Sequence, residues 1–187
     1  MAERKILVDS NAYFRLAQSI HPLLGVPFGR ESYCLYIIKQ LQTEYDRSAT
    51  LRNSFPWVNE APYVKNRSNR LSVTRDEKTE IQRSFDFICD YVRSVRPGVS
   101  RVDVLCLAHA EVLKIPVVTD DGDMIDAARD FEIQVCKTLE LLKLMLDCGY
   151  VDMSKIREIA GYWRYLNDCP KDFAIDYRRL FGENPPR

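Results

Sequence analysis

Asp9 follows the apolar run Ile6-Leu7-Val8, and Asp121 and Asp123 follow Ile115-Pro116-Val117-Val118-Thr119. Both runs have the β-branched, apolar character of strands buried on both faces. Acids therefore stand just past the ends of two expected strands, where open parallel sheets keep their sites. Asp103 opens a helical pattern shortly before the second run, and Glu44 lies on or near the apolar face of an earlier one. Carboxylates that converge repel one another unless a cation neutralises them. Mg²⁺ and Mn²⁺ are hard ions that take oxygen ligands and keep positions open for water. The candidate catalytic set is Asp9, Glu44, Asp103 and Asp121, with Asp123 as a further metal ligand. Asp120, beside Asp121, is a third candidate for the fourth position.

Each acid also has a simpler role open to it. Asp9 can accept backbone hydrogen bonds in the turn after its strand. Asp103 can favour a helix N-terminus, worth under ~1 kcal/mol. Glu44 can be a solvated helix residue, and residues 120–123 an acidic turn bent at Gly122.

Other chemistries lack their residues. No G-x-G-x-x-G follows a strand, no G-x-x-x-x-G-K-[ST] occurs, and no G-x-S-x-G elbow is present. The chain has two histidines, His21 before a proline and His109 in the pattern that starts near Asp103. A phosphotransferase with D-x-D after its first strand would need an acid at position 11, which is Asn11.

Positioning these acids requires strands alternating with helices, hence a parallel sheet covered on both faces. Strands are expected at residues 6–8, 115–119 and 132–136. Helices are expected at about residues 12–20, 31–50, 100–113, 124–129, 138–146, 154–166 and 172–180. Thr74-Arg75-Asp76-Glu77 reads as a capping box opening a helix that Pro97-Gly98 ends. Residues 53–69, with Pro56 and Pro62, read as a long loop.

Lys plus Arg and Asp plus Glu number 27 each among 187 residues, so no net field announces a polyanionic partner. The distribution is uneven. Residues 47–101 hold eleven Lys/Arg against six Asp/Glu, and residues 103–187 eleven against sixteen. The six cysteines show no C-x-x-C spacing, which excludes the usual zinc and dithiol patterns. No apolar run reaches the roughly 20 residues of a membrane span, so a cytoplasmic protein with reduced thiols is expected.

The motifs V-D-S-N at Asp9, T-E-Y at Glu44, V-D-V-L-C-L-A-H-A at Asp103 and V-V-T-D-D-G-D-M at Asp121 and Asp123 resemble those of PIN domains. The resemblance covers about residues 5–148, and implies a nuclease domain at 1–148 with a helical extension packed on it at 149–187. It implies a PIN-like parallel sheet sandwiched by helices, Mg²⁺ or Mn²⁺ held by the acids, and endonucleolytic cleavage of RNA. Ser10, Asn11 and Thr119 would be neighbours of the site. Many small proteins of this family are toxins restrained by an antitoxin, so an antitoxin or other protein partner is expected, as is a homodimer. A binding module that has lost turnover is the alternative. Acids alone would repel RNA. Lys65, Arg67 and Arg70 are the expected phosphate contacts, with Trp57 and Tyr63 for stacking on unpaired bases.

Overall fold

A computed structural model describes residues 3–186. Four parallel strands form one open sheet in the order β2-β1-β3-β4, with β1 at Arg4–Val8, β2 at Tyr33–Tyr36, β3 at Val117–Val118 and β4 at Val135–Cys136. Leu7 and Val8 of β1 pair with Val117 and Val118 of β3, and Ile6 pairs with Leu35 of β2. The register puts the carboxyl ends of β1 and β3 side by side. Ile6, Leu7, Val8, Val117 and Val118 of the two central strands are buried, as parallel strands covered on both faces must be, while Arg4 and Lys5 open β1 toward solvent.

Ten α-helices surround the sheet among the described residues. Helix α1 (Ser10–Leu16) leaves β1 directly, capped by the Asp9 side chain on the Ala12 N–H. α5 (Arg75–Val95) opens on the Thr74–Glu77 capping box. α6 (Arg101–Leu113) opens on a second box, in which Ser100 and Asp103 satisfy each other's backbone N–H groups. Such caps contribute about 1 kcal/mol each and fix where the helix begins. α7 (Gly122–Asp130) is capped by Asp121.

Two expectations fail here. Residues 31–50 are not one helix: they hold β2, a link, and α2 (Gln40–Arg47). The apolar spacing from Leu35 to Tyr45 imitates a helical face, but only Leu41 and Tyr45 share one. Leu35 is a strand residue in the core, and Tyr33-Cys34-Leu35-Tyr36 carries the aromatic content that suits a pleated surface. Nor are residues 53–69 a long loop. They hold the end of α3 (Ala49–Ser54), a 3₁₀ turn at Pro56–Asn59 and α4 (Ala61–Arg67). Pro56 and Pro62 occupy first-turn positions, where a missing N–H costs nothing, so they start helices instead of breaking them.

Behind β4 follow α8 (Thr138–Asp147), α9 (Met153–Tyr165) and α10 (Phe173–Phe181). Ile156, Ile159, Trp163 and Tyr177 from the last two belong to the same apolar core as Ile6, Val8 and Leu35. Among the described residues, no helix is long and apolar enough to cross a membrane.

Candidate active site

The carboxyl end of β1, the link from β2 into α2 and the start of α6 frame a cleft of about 10 Å³, room for about one water-sized occupant. Asp9, Ser10, Asp103 and Cys106 line it, with Ile37, Ile38 and Leu41 as its apolar wall. Asp9 is 4% exposed. It accepts a 2.5 Å bond from the Thr119 hydroxyl and a 2.6 Å bond from the Ala12 N–H. Burial pushes its carboxyl up to about 7; the two hydrogen bonds oppose that, and the charges of Asp120 and Asp103 add to it. Asp103 is half-buried, and burial also raises its carboxyl, against the Ser100 bonds and with the charge of Asp121. The Cys106 thiol beneath them is fully buried and held protonated by that burial and by the same two acids.

Glu44 reaches the cleft through Ser10, whose hydroxyl donates to its carboxylate at 2.6 Å. The expected site neighbours divide accordingly. Ser10 and Thr119 touch the acids, whereas Asn11 faces outward on α1. Asp121 is exposed and caps α7 through the Met124 N–H at 2.8 Å, close enough to Asp103 to raise its carboxyl. Asp123 is exposed and turns toward Gly98, its carboxylate occupying the place where a Cβ at that glycine would lie.

Asp120 has a different environment. Its carboxylate takes the Arg15 guanidinium at 2.6 Å, the Thr138 N–H at 3.1 Å and the Thr138 hydroxyl. Arg15 and Asp120 are only 11% and 10% exposed. Arg15 also holds Asp168 at 2.9 Å, and the Trp163 indole donates to the Arg15 carbonyl at 3.0 Å. An aspartate so fully engaged is not free to be a fourth ligand.

Among the described residues, no three Asp, Glu, His or Cys side chains stand together as one metal-holding group. The acids expected to form one ligand set are instead distributed. Asp9 and Asp103 share the cleft, Glu44 joins through Ser10, Asp121 stands at its edge, and Asp123 points elsewhere. Asp9, Asp103 and Asp121 all serve as helix caps, the simpler role open to such residues.

The expected nucleic-acid contacts also divide. Trp57 is buried against Tyr13, Phe55 and Tyr63, so it is a core residue and no stacking platform. Tyr63 is half-buried, wedged between Trp57 and His21 at ring distances of 4.6 Å. Its ring faces are spent on packing. Arg67 and Arg70 line a groove of about 970 Å³ bounded by α2, α4, α5 and α6. Lys65 is exposed outside that groove. His109 is part of the groove wall, its Nδ1 2.7 Å from the Leu105 carbonyl oxygen, and burial lowers its pKa against the effect of that bond.

Sequence reasoning did not single out Arg15, nor Lys39 and Lys78, which also line the groove. Arg15 was findable only as a cation six residues, nearly two helical turns, beyond the first acid. Its partners lie 105 and 153 residues away, beyond any local pattern. The site is thus an acidic cleft at the carboxyl end of an open parallel α/β sheet. No family model and no curated protein matches the chain at a significant level.

Proposed function

We infer that the acidic cleft is the active site of a divalent-metal-dependent nuclease acting on RNA. One observation carries this reading: Asp9 is buried with no ion pair of its own, the nearby Arg15 being bound to Asp120 and Asp168, and it lines a water-sized space together with a second acid. A buried carboxyl in that setting is costly as a structural cap alone, since neutral residues cap helices as well. A cation turns that cost into binding energy. The oxygen-only donors Asp9, Asp103 and Glu44 fit a hard ion such as Mg²⁺ or Mn²⁺. The motifs' resemblance to PIN domains supports the same reaction class.

Asp9 and Asp103 would hold such an ion, with Glu44 or Asp121 contributing from the rim. When bound, the ion would supply Lewis-acid activation of water and stabilise charge developing on a phosphodiester. The protein's own contribution is positional. Thr119 and the Ala12 N–H fix the Asp9 carboxylate, the Ser100 box fixes Asp103, and Ser10 steers Glu44. The apolar wall of Ile37, Ile38 and Leu41 limits water on one side.

The cap roles of Asp9, Asp103 and Asp121 favour a second reading, in which the chain binds RNA or a protein without cutting. An antitoxin-like partner or a homodimer belongs with either reading. Incubation of the purified protein with RNA, DNA and a phosphate ester, each with Mn²⁺ or with EDTA, separates them. Metal-dependent RNA cleavage lost in correctly folded Asp9→Asn and Asp103→Asn is the expected result. Full cleavage by either variant would remove the cleft from the chemistry, and RNA binding with no cleavage in any metal would establish the second reading.

A further inference from the structure

We propose that the groove between α2, α4, α5 and α6 binds a single nucleic-acid strand and leads it over Ile37 and Ile38 to the acidic cleft. Four cations line the groove: Lys39 at the start of α2, Arg67 in α4, Arg70 just after it and Lys78 in α5. Among the described residues no carboxylate lines it. Arg67 is held in place by neutral partners, the Tyr13 hydroxyl at 3.2 Å and the Gln42 amide oxygen at 2.9 Å, so its charge is oriented without being cancelled. Chemistry of this kind calls for a polyanion.

The floor narrows the class. Ile37, Ile38, Val64 and Ile81 give the groove an apolar surface beneath its cations. A single strand presents phosphates to the rim and unpaired base faces to such a floor. A duplex hides its base faces and would set only charged backbone against aliphatic carbon. Gln42 is engaged with Arg67, Asp46 and Asn59, but the Asn59 amide N–H groups and the Gln82 amide oxygen put a donor and an acceptor among the cations. Base edges need both, whereas the side chains of an acidic peptide only accept. The lining holds no Phe, Tyr or Trp, and His109 is the one aromatic ring in it.

Ile37 and Ile38 line the groove and the acidic cleft alike, which sets the two side by side. The strand's delivery to the cleft rests on the nuclease reading given above; its binding in the groove does not. Both can therefore be tested apart.

The experiment measures anisotropy of a labelled oligouridylate of about twelve nucleotides, long enough for a groove-sized site, in EDTA across a salt series. Each phosphate neutralised on a single strand contributes a slope of about −0.7 in log affinity against log salt, so four cations give about −3. Lys39→Gln/Lys78→Gln should lower that slope to about −1.4, and Lys39→Arg/Lys78→Arg should restore it. Lys65→Gln should leave it unchanged. An RNA duplex and polyglutamate, used as competitors, should displace the strand poorly. Circular dichroism checks that each variant is folded. An unchanged slope in the Gln variant, no recovery in the Arg variant, or equal competition by duplex or polyglutamate would each overturn the proposal. Metal-dependent cleavage with an unchanged slope would overturn the groove and leave the nuclease reading. The expected slopes without cleavage in any metal would do the reverse.

Discussion

Asp9 stands one residue beyond β1, and Asp120 two residues beyond the neighbouring β3. Each accepts a hydrogen bond from a threonine hydroxyl, Asp9 from Thr119 and Asp120 from Thr138. The difference is the cation. Asp120 has Arg15 at 2.6 Å, whereas Asp9 feels that cation only at a distance, makes no ion pair, and has its carboxyl raised to about 7 by burial. One aspartate is electrostatically closed and the other open. An acid whose charge is already matched holds the fold. The unmatched one is where an incoming cation would gain most.

The largest expected effect lies on the closed side. Arg15→Met leaves Asp120 buried without its partner, and breaking a buried pair in this way costs about 3–5 kcal/mol. Urea denaturation reads it. A loss below ~1 kcal/mol would mean that water already screens the pair, and the contrast with Asp9 would dissolve.

Asp9→Asn should act in the opposite direction in metal-free protein. A folded pKa raised to about 7 means that the folded state holds the proton more tightly than the unfolded one. Stability therefore falls as pH rises through the window from about 4 to about 7, by at most ~4 kcal/mol, and levels off above it. Asn has no such dependence. The stability difference between wild type and variant, measured by denaturation at pH 4.5 and pH 8, should move in the variant's favour at the higher pH. Parallel curves would show that Asp9 is ionised at no cost.

A smaller effect is expected from added Mn²⁺. At a hundredfold excess over its dissociation constant, an ion that binds only the folded state stabilises it by about 2.7 kcal/mol. Asp9→Asn and Asp103→Asn should lose most of that rise in melting midpoint, and Asp120→Asn should keep it once each is referred to its own metal-free value. Equal rises in all three would place the ion elsewhere.

The smallest effect belongs to Gly98→Ala. The new Cβ would meet the carboxylate of Asp123, the far end of an exposed side chain that can swing away. Stability should change by less than ~1 kcal/mol, and metal-dependent cleavage should persist. A large loss of cleavage would return Asp123 to the ligand set.

What was legible in the sequence was local. The run Ile6-Leu7-Val8 closing on Asp9, the Thr74 capping box and the helix opening near Ser100 are all specified within a few residues, and each is present. The short strand β2 was masked because its apolar residues join those of α2 in an apparent helical period. Pro56 and Pro62 were read as breakers, since the same residue begins a helix or ends one according to what precedes it. Trp57 next to basic residues suggested stacking, but its burial is decided by Tyr13 and Phe55, far away and just before it respectively. Asp9 and Asp103 could be paired from strand-end logic. The cation that separates Asp120 from them comes from α1, and the groove draws Lys39 and Lys78 from different helices. Neither leaves a periodic trace.

The link from Arg15 to Asp168 also sets an order of events. The two residues are 153 positions apart, and Trp163 joins them by bonding the Arg15 carbonyl. At a synthesis rate of about 5–20 residues per second, roughly eight to thirty seconds pass between the making of Arg15 and of Asp168. During that interval β1 and α1 exist without the contacts that anchor Arg15 from the far end of the chain. The sheet's carboxyl edge is therefore finished late, after the residues that line the acidic cleft have all been made. A growing chain carries its acids well before it carries the clasp that sorts them.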